Sequence, residues 1–142
     1  LIGRNKSVIA SKLPHLNEYI TARQAAAAYY DKAFANHPHI LPPVRSERST
    51  HVFHQYTLRL IDVDRDALRN ALAEAGIPTM IYYPVPLHMQ KAYQDPRYKV
   101  GDFPVAERLA ACVLSLPMHT ELDEEQLAYI TEHVLKSLNA QH

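Results

Sequence analysis

Apolar positions recur at helical spacing from the start of the chain. Val8, Ile9, Leu13, Leu16, Ile20, Ala27, Tyr30 and Phe34 fall on one face of a helical repeat, and the stretch RQAAAAYYDKAF is rich in strong helix formers. This predicts a long helix over residues 6–34, either continuous or two helices in line. Pro14 removes a backbone donor and crowds the preceding turn, so a kink is expected over residues 10–13. The segment ANHPHILPPVRSERST that follows has no sustained period and four prolines and histidines in its first half, and reads as an extended surface connection.

The period then changes to two. In HVFHQYTLRLI, the residues Val52, His54, Tyr56, Leu58 and Leu60 share one face, while Phe53, Gln55, Thr57, Arg59 and Ile61 share the other, as in a strand. DVDRDALRNALAEAG returns to helical spacing. Asp64 is placed to cap it, Leu68, Ala71, Leu72 and Ala75 form its apolar stripe, and Gly76 stops it. IPTMIYY reads as a second strand, FPVAERLAA as a helix capped by Asp102, and CVLSLP as a third strand closed by Pro117. A last helix starts near Asp123, with Gln126 at capping-box distance and a stripe of Leu127, Ile130, Val134 and Leu138. The fold class is therefore α/β, a small sheet of about three strands covered by helices. The proline-rich corner after Tyr83 leaves chain enough to reverse, which favours a mixed or antiparallel sheet over a wholly parallel one.

Composition narrows the functional classes. A chain of 142 residues with 47% hydrophobic and 21% charged side chains has the make-up of one globular domain. With 15 basic and 15 acidic residues, no charge excess points to nucleic acid or an anionic membrane as partner. The single Cys112 lies in an apolar run and has no partner for an internal disulfide, which fits a reducing, cytoplasmic setting. No apolar run reaches the length of a membrane span, and the start lacks both a signal-peptide core and an initiator methionine, pointing to an origin within a longer protein. Glycine-rich phosphate loops, HExxH, paired CxxC and GxSxG elbows are missing from the sequence. His37 and His39 flank a proline, and a strand would put His51 and His54 on opposite faces, so no metal site is expected.

One stretch stands apart. In MIYYPVPLHMQKAY, Pro84 and Pro86 fix their own φ angles and push Tyr83 and Val85 towards extended backbone, so the corner displays its side chains in set directions. Taken alone, it is a structural turn whose tyrosines pack on neighbouring helices. In the order KLPHLNEYITARQAAAAYYDKAF, HVFHQYTLRL, LRNALAEAGIPTMIYYPVPLHMQKAYQD and GDFPVAERLAACVLSLPMHTELDEEQLAYI, however, residues 12–138 resemble the C-terminal part of DegT-type sugar aminotransferases. The combination IPTMIYYPVPLHMQ is most similar to members that aminate a UDP-linked 3-keto-hexuronic acid.

That resemblance implies residues 1–142 as the small C-terminal domain of a fold-type-I enzyme, with residues 1–34 as an inter-domain helix and the large cofactor domain absent. It implies pyridoxal phosphate as cofactor, an amino donor such as glutamate, a nucleotide-linked keto-sugar from surface-glycan biosynthesis as acceptor, and a homodimer. The family's cofactor lysine has no counterpart here, since Lys91 and Lys99 do not stand in its motif; no catalytic or cofactor-binding residue is assigned. The opening IGRNKSVIAS departs from the family pattern, so Arg4 and Asn5 receive no role. The resemblance turns the corner towards the active-site cleft, making Tyr82, Tyr83 and His88 the substrate-binding candidates, with packing as the alternative for the tyrosines; His54, Tyr56 and His119 are expected to be structural. A free-standing binding module of the same fold, without catalysis, is the second reading.

Overall fold

The computed structural model describes residues 9–141. Residues 9–12 are helical, Leu13–His15 forms a 3-10 turn, and helix α1 spans Leu16–Ala33. Pro14 lies inside that 3-10 turn, where its missing N–H is tolerated because the first turn of the following helix leaves donors unbonded in any case. The chain thus makes two helical pieces in line, interrupted slightly later than the expected kink. Val8 and the rest of the expected helix start lie outside the described residues.

Three strands form one antiparallel sheet in the order β1 (Ile40–Leu41), β2 (Tyr56–Leu60), β3 (Val113–Leu116). Two of them were legible in sequence, and the third corrects it. Strand β1 lies within the expected loop, pairing Ile40 with Leu60 and Leu41 with Arg59, and ends where Pro42 and Pro43 can donate nothing to a ladder. The IPTMIYY segment is not a strand. Only Met80 pairs, exchanging both backbone hydrogen bonds with Ser115 at 3.0 and 2.9 Å. Pro78 and Pro84 bracket it and remove the donors a longer ladder needs.

The alternation of β2 also starts later than its sequence pattern. Phe53 has φ 50° and is buried, whereas Val52 and His54 are exposed, so the residues before Tyr56 leave the pleat. Two contacts hold this left-handed residue: its N–H donates to His51 Nδ1 at 2.9 Å, and its carbonyl accepts from Arg23 Nη1 at 3.1 Å. The same Arg23 nitrogen reaches the carbonyls of His54 and Met118, both at 3.2 Å, tying α1 to the ends of two sheet segments.

Within the ladder, Tyr56 faces Leu116 and Leu58 faces Leu114, all buried, while Thr57 and Ser115 join hydroxyls at 2.7 Å. Against the buried face lie α1, helix α2 (Arg65–Glu74) and helix α4 (Glu124–Asn139), which supply Ala27, Tyr30, Leu68, Leu72, Ile130 and Val134 to a single core. Helix α3 (Pro104–Cys112) abuts β2 and leads directly into β3. Cys112 is its last residue and half-buried, rather than the first residue of the strand.

The helix ends follow their sequence signals in all but one case. The Asp64 carboxylate accepts from the N–H groups of Asp66 and Ala67. At the other end of α2, Gly76 has φ 74°; its N–H bonds to Ala73 O, and Ile77 N–H bonds to Leu72 O at 2.8 Å, a Schellman closure that needs the left-handed glycine. Asp123 and Gln126 form the reciprocal capping box of α4. Asp123→Ala should therefore lower stability by about 1 kcal/mol, seen as a fall of a few degrees in Tm with an unchanged denaturant slope. The exception is Asp102. It accepts from Lys99 N instead, Phe103 occupies the cap position without a side-chain bond, and the open donors before α3 go to Glu107.

Candidate functional site

Between the Met80 bridge and Pro104, the chain makes an excursion with only two short 3-10 turns, Leu87–Met89 and Lys91–Tyr93. Pro86 sits at φ −56° and ψ 147°, a polyproline conformation that carries the corner away from the sheet edge. Gln90 Nε2 folds back onto Val85 O at 3.0 Å and Met89 N–H onto Pro86 O at 2.9 Å, so the turn after the two prolines is closed by its own hydrogen bonds. Large apolar and aromatic side chains stay outside the core along this excursion, among them Tyr82, Tyr83, Leu87, Tyr93 and Val100.

The three candidate residues have different settings. Tyr83 is 76% exposed and Tyr82 48%, and neither hydroxyl has a hydrogen-bond partner among the described residues. His88 is buried instead, its side chain 8% exposed: Nε2 lies 3.0 Å from Glu107 Oε1, and the ring packs on Phe103 with centroids 4.7 Å apart. Phe103 in turn meets Tyr98 at 5.4 Å, and these rings with Leu87 and Tyr93 line a recess of ≈ 380 Å³. The structure thus separates an outward pair, Tyr82 and Tyr83, from an inward histidine.

Sequence reasoning missed Glu107. Placed in the first turn of α3, its carboxylate accepts from Gly101 N–H with both oxygens (2.9 and 3.0 Å), from Phe103 N–H (3.4 Å), and meets His88. The backbone N–H of Gly101 foremost, with His88 and Phe103, holds its carboxyl below the usual range. The signal was present as an acid in the first turn of a helix that follows a glycine, one position beyond the usual capping-box spacing.

Of the three residues expected to be structural, Tyr56 serves the frame. Tyr56 is fully buried and donates to Asp31 Oδ1 at 2.7 Å, while Arg45 closes on the other oxygen of Asp31 and lies over the Phe53 ring at 4.4 Å. His54 and His119 are exposed; His54 borders an apolar groove of ≈ 710 Å³ with Leu13, Leu16, Tyr19 and Val52, and His119 Nδ1 lies 3.4 Å from Glu121. Lys91 and Lys99 are exposed on the excursion. The described residues hold no group of three or more side chains arranged to bind a metal, and no described helix is long and apolar enough to cross a membrane.

This architecture has known counterparts. The DegT/DnrJ/EryC1/StrS aminotransferase family model matches residues 5–135. The chain is 41% identical over 130 residues to the pleiotropic regulatory protein of Geobacillus stearothermophilus, covering 90% of this chain and 34% of that protein. It is 39% identical over 132 residues to the UDP-N-acetyl-3-dehydro-alpha-D-glucosamine 3-aminotransferase of Acidithiobacillus ferrooxidans, covering 93% of this chain and 34% of the relative. The crystal structure of S. venezuelae DesV superposes with a TM-score of 0.85 at 36% identity, over 91% of this chain and 34% of DesV. The chain therefore spans about a third of the length of the relatives it matches.

Proposed function

The chain belongs to the DegT/DnrJ/EryC1/StrS aminotransferase family, and from that premise we propose that it is the C-terminal domain of a nucleotide-sugar aminotransferase. The whole protein would exchange the keto oxygen of a nucleotide-linked sugar for the amino group of a donor such as glutamate. Pyridoxal phosphate is the family's cofactor and supplies the electron sink for that exchange. The described residues do not fit a site for it: the lysines of the corner are exposed, and no buried acid among them stands ready for a ring nitrogen. We assign that chemistry to a further domain, which would pack along the apolar groove beside Leu13 and Leu16, with residues 9–34 as the inter-domain helix.

What this chain contributes is recognition of the sugar. The carrying observation is the stiff corner that holds Tyr82 and Tyr83 outward with unengaged hydroxyls. A phenol so placed can donate to a sugar hydroxyl, carbonyl or carboxylate, and a corner already ordered loses little entropy when it does so. The 3-keto position in the name of the A. ferrooxidans relative supports a UDP-linked 3-keto sugar; the stretch IPTMIYYPVPLHMQ favours the hexuronate among these. A cytoplasmic homodimer acting in surface-glycan synthesis completes the reading.

The test uses the full-length polypeptide with glutamate, pyridoxal phosphate and a series of UDP- and dTDP-linked keto-sugars, reading the amino sugar and the oxo-acid by mass spectrometry. Amination of the UDP-linked 3-keto-hexuronate ahead of the others is the expected result. Turnover of a keto-hexose with no turnover of the hexuronate would overturn the finer assignment, and no product from any nucleotide sugar would overturn the function.

A further inference from the structure

We propose that Glu107 is a positioning residue for sugar recognition, anchoring the 82–103 excursion to helix α3 so that Tyr83 is held in place from a distance. The inference rests on the function proposed above for its substrate and on the geometry of this structure for its mechanism. The excursion runs more than twenty residues between a single β-bridge and the start of α3. Connections of that length without strands or α-helix are ordinarily loose, since each ordered residue costs conformational entropy that few contacts offset.

One side chain makes the longest-span hydrogen bond within it and also holds its far end. The Glu107 carboxylate takes Gly101 N–H and Phe103 N–H at the end of the excursion and His88 in its middle. Gly101 has φ 95°, a backbone state that L side chains rarely adopt, so the bonded turn is built for this approach. The other polar pairs of the segment are local: Arg97 with Asp95, and Asp102 with Lys99 N. Anchored acid and aromatic packing coincide at His88, which is both bonded to Glu107 and packed at a tilt against Phe103.

From His88 the constraint passes to the corner by stiff chain. Pro86 and Pro84 lie between His88 and Tyr83, and Gln90 Nε2 holds Val85 O from the far side. Tyr83 makes no bond of its own, so its place is set by this path. Release of Glu107 would leave the tyrosine chemically intact and spatially undefined, and a misplaced donor loses its effect on a bound group without touching steps that do not use it.

The experiment compares wild-type, Glu107→Ala and Glu107→Gln full-length proteins by hydrogen exchange and by separate donor and sugar half-reactions. For Glu107→Ala, amides in residues 82–103 should exchange about tenfold faster or more, with β2, β3 and α4 unchanged. The sugar half-reaction should lose about tenfold or more in kcat/KM, and the donor half-reaction should stay within about twofold. Glu107→Gln, which keeps one carbonyl acceptor, should fall between; it carries the test if the alanine variant does not fold. Unchanged exchange, faster exchange with an intact sugar half-reaction, or equal loss in both half-reactions would each overturn the proposal. Failure of the underlying function shows differently, as a missing sugar half-reaction in the wild-type protein.

Discussion

Tyr30→Ala should cost the domain about 3–5 kcal/mol, a large share of the 5–15 kcal/mol that holds an ordinary domain folded. Tyr30 has no exposed surface and sits where α1 meets the sheet, its ring 4.9 Å from that of Tyr56 and 6.1 Å from that of Phe34. Truncation leaves a cavity that these two rings cannot both enter, and it strands Pro117 O, which accepts from the Tyr30 hydroxyl at 3.0 Å. Tyr30→Phe separates the two terms. It keeps the packing and should cost about 1–2 kcal/mol. Denaturant titration of the three proteins measures both, and an alanine variant within about 1 kcal/mol of wild type would show that α1 does not depend on this contact.

The same residue predicts an alkaline limit to stability. Burial pushes the phenols of Tyr30 and Tyr56 far above their ordinary value, with the Asp31 carboxylate adding to the effect at Tyr56. Unfolded, each ionises near pH 10 or so; folded, each keeps its proton well beyond that. The stabilisation is therefore complete below about pH 10 and is lost as pH rises above it, because only the unfolded chain releases the protons. Tyr30→Phe should flatten that alkaline decline as well as lowering the plateau.

How far the fold was legible follows from where its signals are local. The caps at Asp64, Asp123 and Gly76 depend on a few adjacent residues, and each stands where the sequence put it. The stripe of Leu127, Ile130, Val134 and Leu138 is likewise a matter of spacing. Features set by distant partners were not legible. Strand β1 is two residues long beside a pair of prolines, and only Leu60 and Arg59 across the sheet make it a strand. Phe53 breaks an otherwise regular alternation because His51 and Arg23 stabilise a left-handed backbone that no pattern of apolar residues encodes.

The candidate site divides in the same way. Two prolines were enough to mark the corner, and the family resemblance singled out Tyr82, Tyr83 and His88 within it. That His88 turns inward is set by Glu107 nineteen positions away, and by Phe103. An acid at the fourth position of a helix resembles an ordinary charged surface residue until the glycine turn before it is seen to fold back on it. Asp102, the more obvious cap, is occupied by Lys99 N.

If the full-length protein has the proposed function, Tyr83→Phe is expected to weaken its kcat/KM for the nucleotide sugar by about 1–3 kcal/mol, roughly five- to two-hundred-fold. The substitution removes one hydroxyl and keeps the ring. With the residue 76% exposed and its hydroxyl unbonded among the described residues, little stability depends on it, so Tm should stay within about a degree or two of wild type. The half-reaction with the amino donor should be nearly unaffected, since the sugar takes no part in it. Tyr82→Phe serves as the neighbouring control and should lose less, its ring being the more covered of the two. A hydroxyl that served the fold instead would lower Tm and damage both half-reactions together, and one that met only water would leave all three measurements at wild-type values. Selective loss in the sugar half-reaction is therefore the result that places Tyr83 against the substrate, and equal loss in both would remove it from there.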